Sequence, residues 1–158
     1  MRTMEDAKTH IQLACFSLGD KLFAVDIMRI REIIVPQTLA PMPSTSDLLE
    51  GMISLRGSVI PVMNLRKRFG MSVVEDASAG KLLIVSLVGQ SSLALVVDDV
   101  MEVVSEPVAD IKPPIQAAPG VGMEFILGVC LSNGRVFMIL DIDALLGTRN
   151  RIQAAVPA

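Results

Sequence analysis

The sequence predicts a mainly β protein made of two small, duplicated barrel lobes with a few short helices, and three observations lead there. The first is an internal echo: residues 51–70 reappear in outline as 128–147, at a constant offset of 77 and without a gap. Gly51, Gly57, Val59 and Gly70 recur as Gly128, Gly134, Val136 and Gly147, and Asn64 is answered by Asp141. These matches fall where the backbone is most demanding. Glycine enters the positive-φ region at a turn or after a helix, and Asn or Asp caps a helix with its side-chain oxygen. Each copy therefore reads as strand, tight turn, strand, cap, short helix, stop. The second observation is a fainter echo at an offset of 70, aligning 13–34 with 83–104. In it Gly19, Ala24, Ile30 and Glu32 meet Gly89, Ala94, Val100 and Glu102. The third is the spacing of short apolar runs between Gly- and Pro-rich turns, the pattern of small barrels.

Taken in order, residues 1–10 read as a flexible leader. A strand over 11–18, a turn at Gly19-Asp20-Lys21 and a strand over 22–25 make a hairpin. Asp26 caps a single helical turn ahead of a strand over 30–35. Pro36, Pro41 and Pro43 force an irregular crossover, and 47–50 reads as another helical turn. The first copy of the repeat supplies strands over 52–55 and 59–63 and a helix over 65–69. Residues 71–80, rich in Ser, Ala, Glu and Asp, form a linker. Strands follow over 82–88 and 93–97, joined by Gly89-Gln90-Ser91; Asp98 and Asp99 interrupt the apolar run, and 100–104 resumes it. Four prolines and two glycines make 107–122 a long irregular loop. The second copy closes the fold, with Asn133-Gly134 as the strongest hairpin signal in the chain. Residues 148–158 are a tail. The two lobes occupy about 11–75 and 80–147, and the sequence leaves open whether they exchange strands.

A chain of 158 residues suits one domain or two small lobes sharing a core. Hydrophobic residues make up 51% and aromatics only 3%, with no Trp or Tyr, so aliphatic side chains must fill the interior. Most of the ten methionines read as core filler. A net charge of −3 and the missing stacking platforms argue against nucleic acid as a partner. Arg66-Lys67-Arg68 reads as the solvated face of a short helix. The opening residues carry no signal-peptide pattern, and the apolar runs are too short to span or insert in a membrane. Cys15 and Cys130 lie inside apolar runs without a CxxC partner, so they read as buried free thiols, in keeping with a reducing cytoplasm.

Catalytic chemistry is hard to assemble from this chain. His10 is the only histidine and lies in the leader, which excludes a multi-histidine metal site and argues against a His-dependent triad in the folded body. Gly120-Val121-Gly122 lacks the lysine of a phosphate loop. Asp98 and Asp99 form the best carboxylate pair, but adjacent strand residues point to opposite faces, and turn or cap roles account for both. Arg56 stands out. It occupies a hairpin tip, where an arginine is ordinarily solvated; on a rigid hairpin its planar donors also suit a partner's carboxylate or backbone carbonyls. Glu32 interrupts an apolar strand, and its repeat counterpart Glu102 favours a structural role for it.

Several stretches together resemble a known family. They are Leu18-Gly-Asp20, Phe23-Ala-Val-Asp-Ile-Met-Arg-Ile-Arg-Glu-Ile33, Gly51-Met-Ile-Ser-Leu-Arg-Gly57, Val59-Ile-Pro-Val-Met-Asn-Leu-Arg66, Leu95-Val-Val-Asp-Asp-Val100 and the segment from Leu127 to Asp143. In that order, across about 11–147, the chain resembles the CheW coupling proteins of bacterial chemotaxis. The resemblance implies two SH3-like five-stranded β-barrels packed together, no cofactor and no catalysis. It implies an adaptor that couples the cytoplasmic tip of methyl-accepting chemoreceptors to the regulatory domain of a CheA-type histidine kinase. Such a protein is cytoplasmic and is recruited to membrane-associated receptor arrays. Carried over by motif, Ile30, Glu32 and Gly51 lie toward the kinase, and Arg56, Val100 and Val103 toward the receptor. Ser54 stands where the family has Asn, and Asn64 where it has Asp; both keep a hydrogen-bonding group. Two alternatives remain at this point: an adaptor of a non-flagellar array serving surface motility or second-messenger control, and a ligand-binding or enzymatic barrel using Asp98 and Asp99.

Overall fold

Ten strands form among the described residues of the computed structural model, which are 9–41, 47–73, 80–114 and 121–146. They are β1 (His10–Leu18), β2 (Lys21–Asp26), β3 (Ile30–Ile34), β4 (Gly51–Leu55), β5 (Ser58–Asn64), β6 (Lys81–Ser86), β7 (Ser92–Val97), β8 (Asp99–Pro107), β9 (Ile126–Ser132) and β10 (Arg135–Leu140). One short α-helix, α1 (Leu65–Arg68), follows β5, with Asn64 capping it by accepting from the Lys67 amide. At the matching place after β10, Ile142–Ala144 is a 3-10 turn whose Asp141 makes no capping side-chain bond. Asp26 caps the 3-10 turn Ile27–Arg29 by accepting from Met28 N, as its position predicts.

The strands make two five-stranded sheets, in the orders β8-β1-β2-β10-β9 and β3-β6-β7-β5-β4. Neighbours pair antiparallel except β2 with β10 and β5 with β7, which run parallel. The two orders are the same order once the repeats are matched: β1, β2 and β3 correspond to β6, β7 and β8, and β4 and β5 to β9 and β10. The lobes are therefore not the two halves of the chain. Each combines the first hairpin of one half with the last three strands of the other. In sequence terms, the lobe of β3–β7 is a continuous run set into a lobe that opens with β1–β2 and finishes with β8–β10.

Three apolar clusters explain why the strands read as unbroken hydrophobic runs. Leu13, Cys15, Ala24, Cys130, Phe137 and Ile139 fill the interior of one lobe. Ile53, Ile60, Val62, Leu82, Ile84 and Ala94 fill the other. The alternate residues on the same strands, among them Phe16, Phe23, Met63, Leu83, Leu95 and Met138, meet in a larger cluster between the lobes. Four of the five phenylalanines lie there, and the rings of Phe16, Phe23, Phe69 and Phe125 follow one another at centroid spacings of 5.7, 5.6 and 5.6 Å. Truncating any one to Ala costs about 3–5 kcal/mol. Met63 and Met138 are core filler as expected, whereas Met28 and Met123 are exposed.

Several expectations are corrected. Residues 47–50 form a turn at Asp47-Leu48 without a helix, Leu48 and Leu49 packing instead onto the shared core. His10 belongs to β1 rather than to a leader. The described part of the expected loop contains regular structure: β8 runs on to Pro107, Val108–Asp110 is a 3-10 turn, and Lys112 bridges to Val129 on β9. Residues 1–8, 42–46, 74–79, 115–120 and 147–158, including Pro43, Gly147, most of the linker and the tail, lie outside the described residues. Arg66-Lys67-Arg68 is not simply a solvated face. Arg66 keeps only 18% of its side chain exposed and forms a two-pronged pair with Asp98, at 2.8 and 2.5 Å. Arg68 donates to the Leu145 carbonyl at 2.6 Å and lies over the Phe125 ring.

Ion pairs stand at both places where the chain passes between lobes. At the β7–β8 crossing, Asp98 takes Arg66 and also the Gly19 amide of the β1–β2 turn, at 2.7 Å. At the β2–β3 crossing, Arg29 grips Asp143 at 2.8 and 2.9 Å and donates to Ser86 O, while Asp143 accepts from Val88 N. The Arg66 hydrogen bond, aided by the Gly19 amide, holds the Asp98 carboxyl below its ordinary range. The two thiols share one lobe's interior as free cysteines, and burial, with Cys130 nearby, pushes the Cys15 thiol up to about 12. Burial raises Cys130 as well.

Three outcomes are expected. Cutting the gene between residues 79 and 80 separates strands of both lobes, so neither half should show monomeric β structure by circular dichroism and sedimentation. Asp98→Asn should lose about 1.5–3 kcal/mol at pH 7. Because the folded Asp98 carboxyl is depressed, its contribution is complete above the unfolded value of about 3.9 and disappears as pH falls through the lower folded value. Urea unfolding from pH 7 to 3 should therefore show a shallower acid decline in Asp98→Asn than in the parent. Finally, neither thiol should react with a thiol reagent until urea unfolds the chain.

Candidate functional site

The two repeated hairpins differ at their tips. Both have two-residue turns, Leu55 pairing with Ser58 around Arg56-Gly57 and Ser132 with Arg135 around Asn133-Gly134. Both central residues have positive φ in each, 49° and 82° in the first and 54° and 77° in the second, the signature of a type I′ turn. Asn tolerates this conformation; an arginine there is strained, because its Cβ crowds the following carbonyl. The strained residue is also the one that reaches outward. The Arg56 side chain remains 73% exposed yet donates to both carboxylate oxygens of Glu32, at 2.5 and 2.7 Å. That hydrogen bonding holds Glu32 below its ordinary range and raises Arg56.

The pair joins the edges of a sheet. β3 and β4 are the outermost strands of their lobe, and Glu32 on β3 meets Arg56 on the β4–β5 turn across the opening between them. The other lobe repeats the device, with Glu102 on edge strand β8 bound by Arg135 at the head of β10. Charged, bridged edges resist pairing with foreign strands. The likeness of Glu32 to Glu102 is thus structural, as their echo suggests. The second arginine sits two residues further along its repeat than Arg56 does, so sequence comparison alone misses it.

The remaining candidates spread over both lobes. Ile30 begins β3, half-buried against the shared core. Gly51 is buried; a Cβ there would stand 2.6 Å from the Ala40 carbonyl, which bridges to Met52, so its requirement is close backbone approach. Val100 and Val103 lie on β8 in the other lobe, Val100 partly packed and Val103 exposed. Glu32 and Arg56 touch, and the kinase and receptor assignments implied by motif run through the middle of their ion pair. Sequence reading misses the exposed apolar side chains near this edge, Ile33 on β3, Val35 just after it and Val59 on β5. Alternation would have revealed them had the strands not been apolar on both faces.

Asp98 is engaged by Arg66 and Gly19, and Asp99 accepts from the Val100 amide, so local structure occupies both carboxylates. Among the described residues no group of three or more His, Cys, Asp or Glu could hold a metal ion, and no helix is long and apolar enough to cross a membrane.

Comparison with known proteins agrees with this geometry. The model of the CheW-like domain family matches residues 12–150. A chemotaxis protein CheW from Treponema pallidum is 32% identical over 141 residues, covering 87% of this chain and 83% of that protein. A chemotaxis protein CheW from Rhizobium meliloti is 30% identical, covering 94% and 98%. The crystal structure of the scaffolding protein TtCheW from Thermoanaerobacter tengcongensis superposes with a TM-score of 0.78 at 28% identity, covering 89% of this chain and 90% of that one. With its two-lobed β fold, the chain belongs to the CheW-like family of non-catalytic chemotaxis scaffold proteins.

Proposed function

We propose that this chain couples the cytoplasmic tip of methyl-accepting chemoreceptors to the regulatory domain of a CheA-type histidine kinase, from the cytoplasm, at membrane-associated arrays. The observation that carries this reading is Arg56. A fold that places Asn at one repeated turn and a strained, exposed arginine at the other retains that arginine for something other than folding. Ile30 and Glu32 belong to the kinase side of the surface, with Gly51 buried behind it as backbone support, and Arg56, Val100 and Val103 belong to the receptor side. The Glu32–Arg56 pair stands at the border between the two. An exposed ion pair exchanges partners at little cost, so a partner's carboxylate can replace Glu32 on the guanidinium. Apolar contact around that anchor supplies the remaining affinity. Receptor state then biases the kinase by population shift, without chemistry in the adaptor.

Arg56→Asn tests this directly, because it copies the second hairpin. The variant should melt at or above the temperature of the parent, and Arg56→Ala should also fold. Both should bind the receptor tip or the kinase domain at least about tenfold more weakly by calorimetry. Folded variants that support full kinase activation in a reconstituted array would end the assignment of Arg56.

A further inference from the structure

The ion pairs at the two crossings are built alike with their charges exchanged. Asp143 stands at the repeat position of Arg66, 77 residues on. Arg66 leaves the β3–β7 lobe to grip an acid at a crossing; Asp143 leaves the other lobe to grip a base at the second crossing. In each clamp the acid also takes an amide from a turn, Gly19 in one lobe for Asp98 and Val88 in the other for Asp143. Each clamp therefore ties together three pieces of chain: the segment after a lobe's repeated hairpin, a crossing, and the opposite lobe's turn. Arg68 donates to Leu145, its own repeat counterpart, so the two post-hairpin segments also meet directly.

We infer that these two clamps set the angle between the lobes, while the shared apolar core sets their separation. The core between them is aliphatic and phenylalanine-rich, and includes Met63 and Met138. Burial of such surface is favourable but nearly indifferent to direction, and methionine repacks readily. A planar guanidinium on a carboxylate is directional, because both prongs form only in one relative orientation. The clamps sit at turns, crossings and strand ends rather than within the apolar cluster, so small changes in their geometry act as a rotation of one lobe against the other. Exchange of charge between the clamps has a further effect. A single arginine cannot serve both acids, and a slipped packing that brought Arg66 toward Arg29, or Asp98 toward Asp143, would be repelled.

The test uses the full chain with spin labels at Val59→Cys and Leu131→Cys, one exposed site on each lobe, and pulsed dipolar spectroscopy to read the distance between them. The parent should give one narrow distance distribution. Asp98→Asn and Asp143→Asn should each broaden or shift it, and the double variant more than either, while circular dichroism shows folded protein. Arg135→Ala, which breaks an ion pair inside one lobe, should leave the distribution as in the parent. If Asp98→Asn does not fold, Arg66→Lys replaces it, keeping the charge but losing the second prong, and should still broaden the distribution. An unchanged distribution in the folded clamp variants, or equal broadening in Arg135→Ala, overturns the inference.

Discussion

Burial of both faces of the central strands is the constraint on which the rest of this structure depends. One face of β1, β2, β6, β7 and β10 fills a lobe, and the other face meets the opposite lobe. A strand in that position cannot carry a charge in its middle without leaving it unpaired. No polar side chain is buried among the described residues, and the charged groups gather at strand ends, turns and crossings. Directional chemistry is thereby confined to places that a partner, or the neighbouring lobe, can reach. The scarcity of aromatics has the same origin: two layers packed on thin sheets favour small aliphatic side chains, and the few rings are concentrated where the lobes meet.

Within that frame the repeats have kept backbone demands and let side chains diverge. Gly57 and Gly134 hold equivalent turn conformations, and Glu32 and Glu102 both take an arginine across a sheet opening. The arginines come from different positions, and Arg66 has become Asp143. Symmetry therefore describes the scaffold, whereas each lobe presents its own pattern of charge. A scaffold protein gains from this, since identical lobes would offer a partner two equivalent seats.

Much of the architecture was legible because turns and caps leave residue-specific marks. Asn133-Gly134, Gly57, Asn64 and Asp26 each announced a local structure that depends on a few neighbouring atoms. What could not be read was which strands share a lobe. Two-sided burial erases the alternation that would have told one face from the other, and β2 meets β10 across more than a hundred intervening residues. Long-range pairing also hid the ion pairs. Arg66-Lys67-Arg68 looks like any basic helical face until Asp98 is brought beside it, and nothing near Arg29 in sequence points to Asp143. At the candidate site the sequence singled out Arg56 and Glu32 separately; their direct contact, and the strain at Arg56, are properties of the folded chain.

The placement of one lobe as a continuous insert within the other bears on synthesis. Strands β3 to β7 emerge from the ribosome as an unbroken series and have all their lobe partners once Val97 is made. The β1–β2 hairpin appears earlier but must wait for β8, β9 and β10, with Leu13, Cys15 and Ala24 lacking the lobe interior that will finally surround them. During that interval the nascent chain holds all five strands of one lobe beside an orphan apolar hairpin. The completed insert offers that hairpin a temporary shelter, because its outward face is the same surface that buries Phe16 and Phe23 in the finished protein. One side of the inter-lobe surface can thus be in place before the lobe that covers its other side has all its strands.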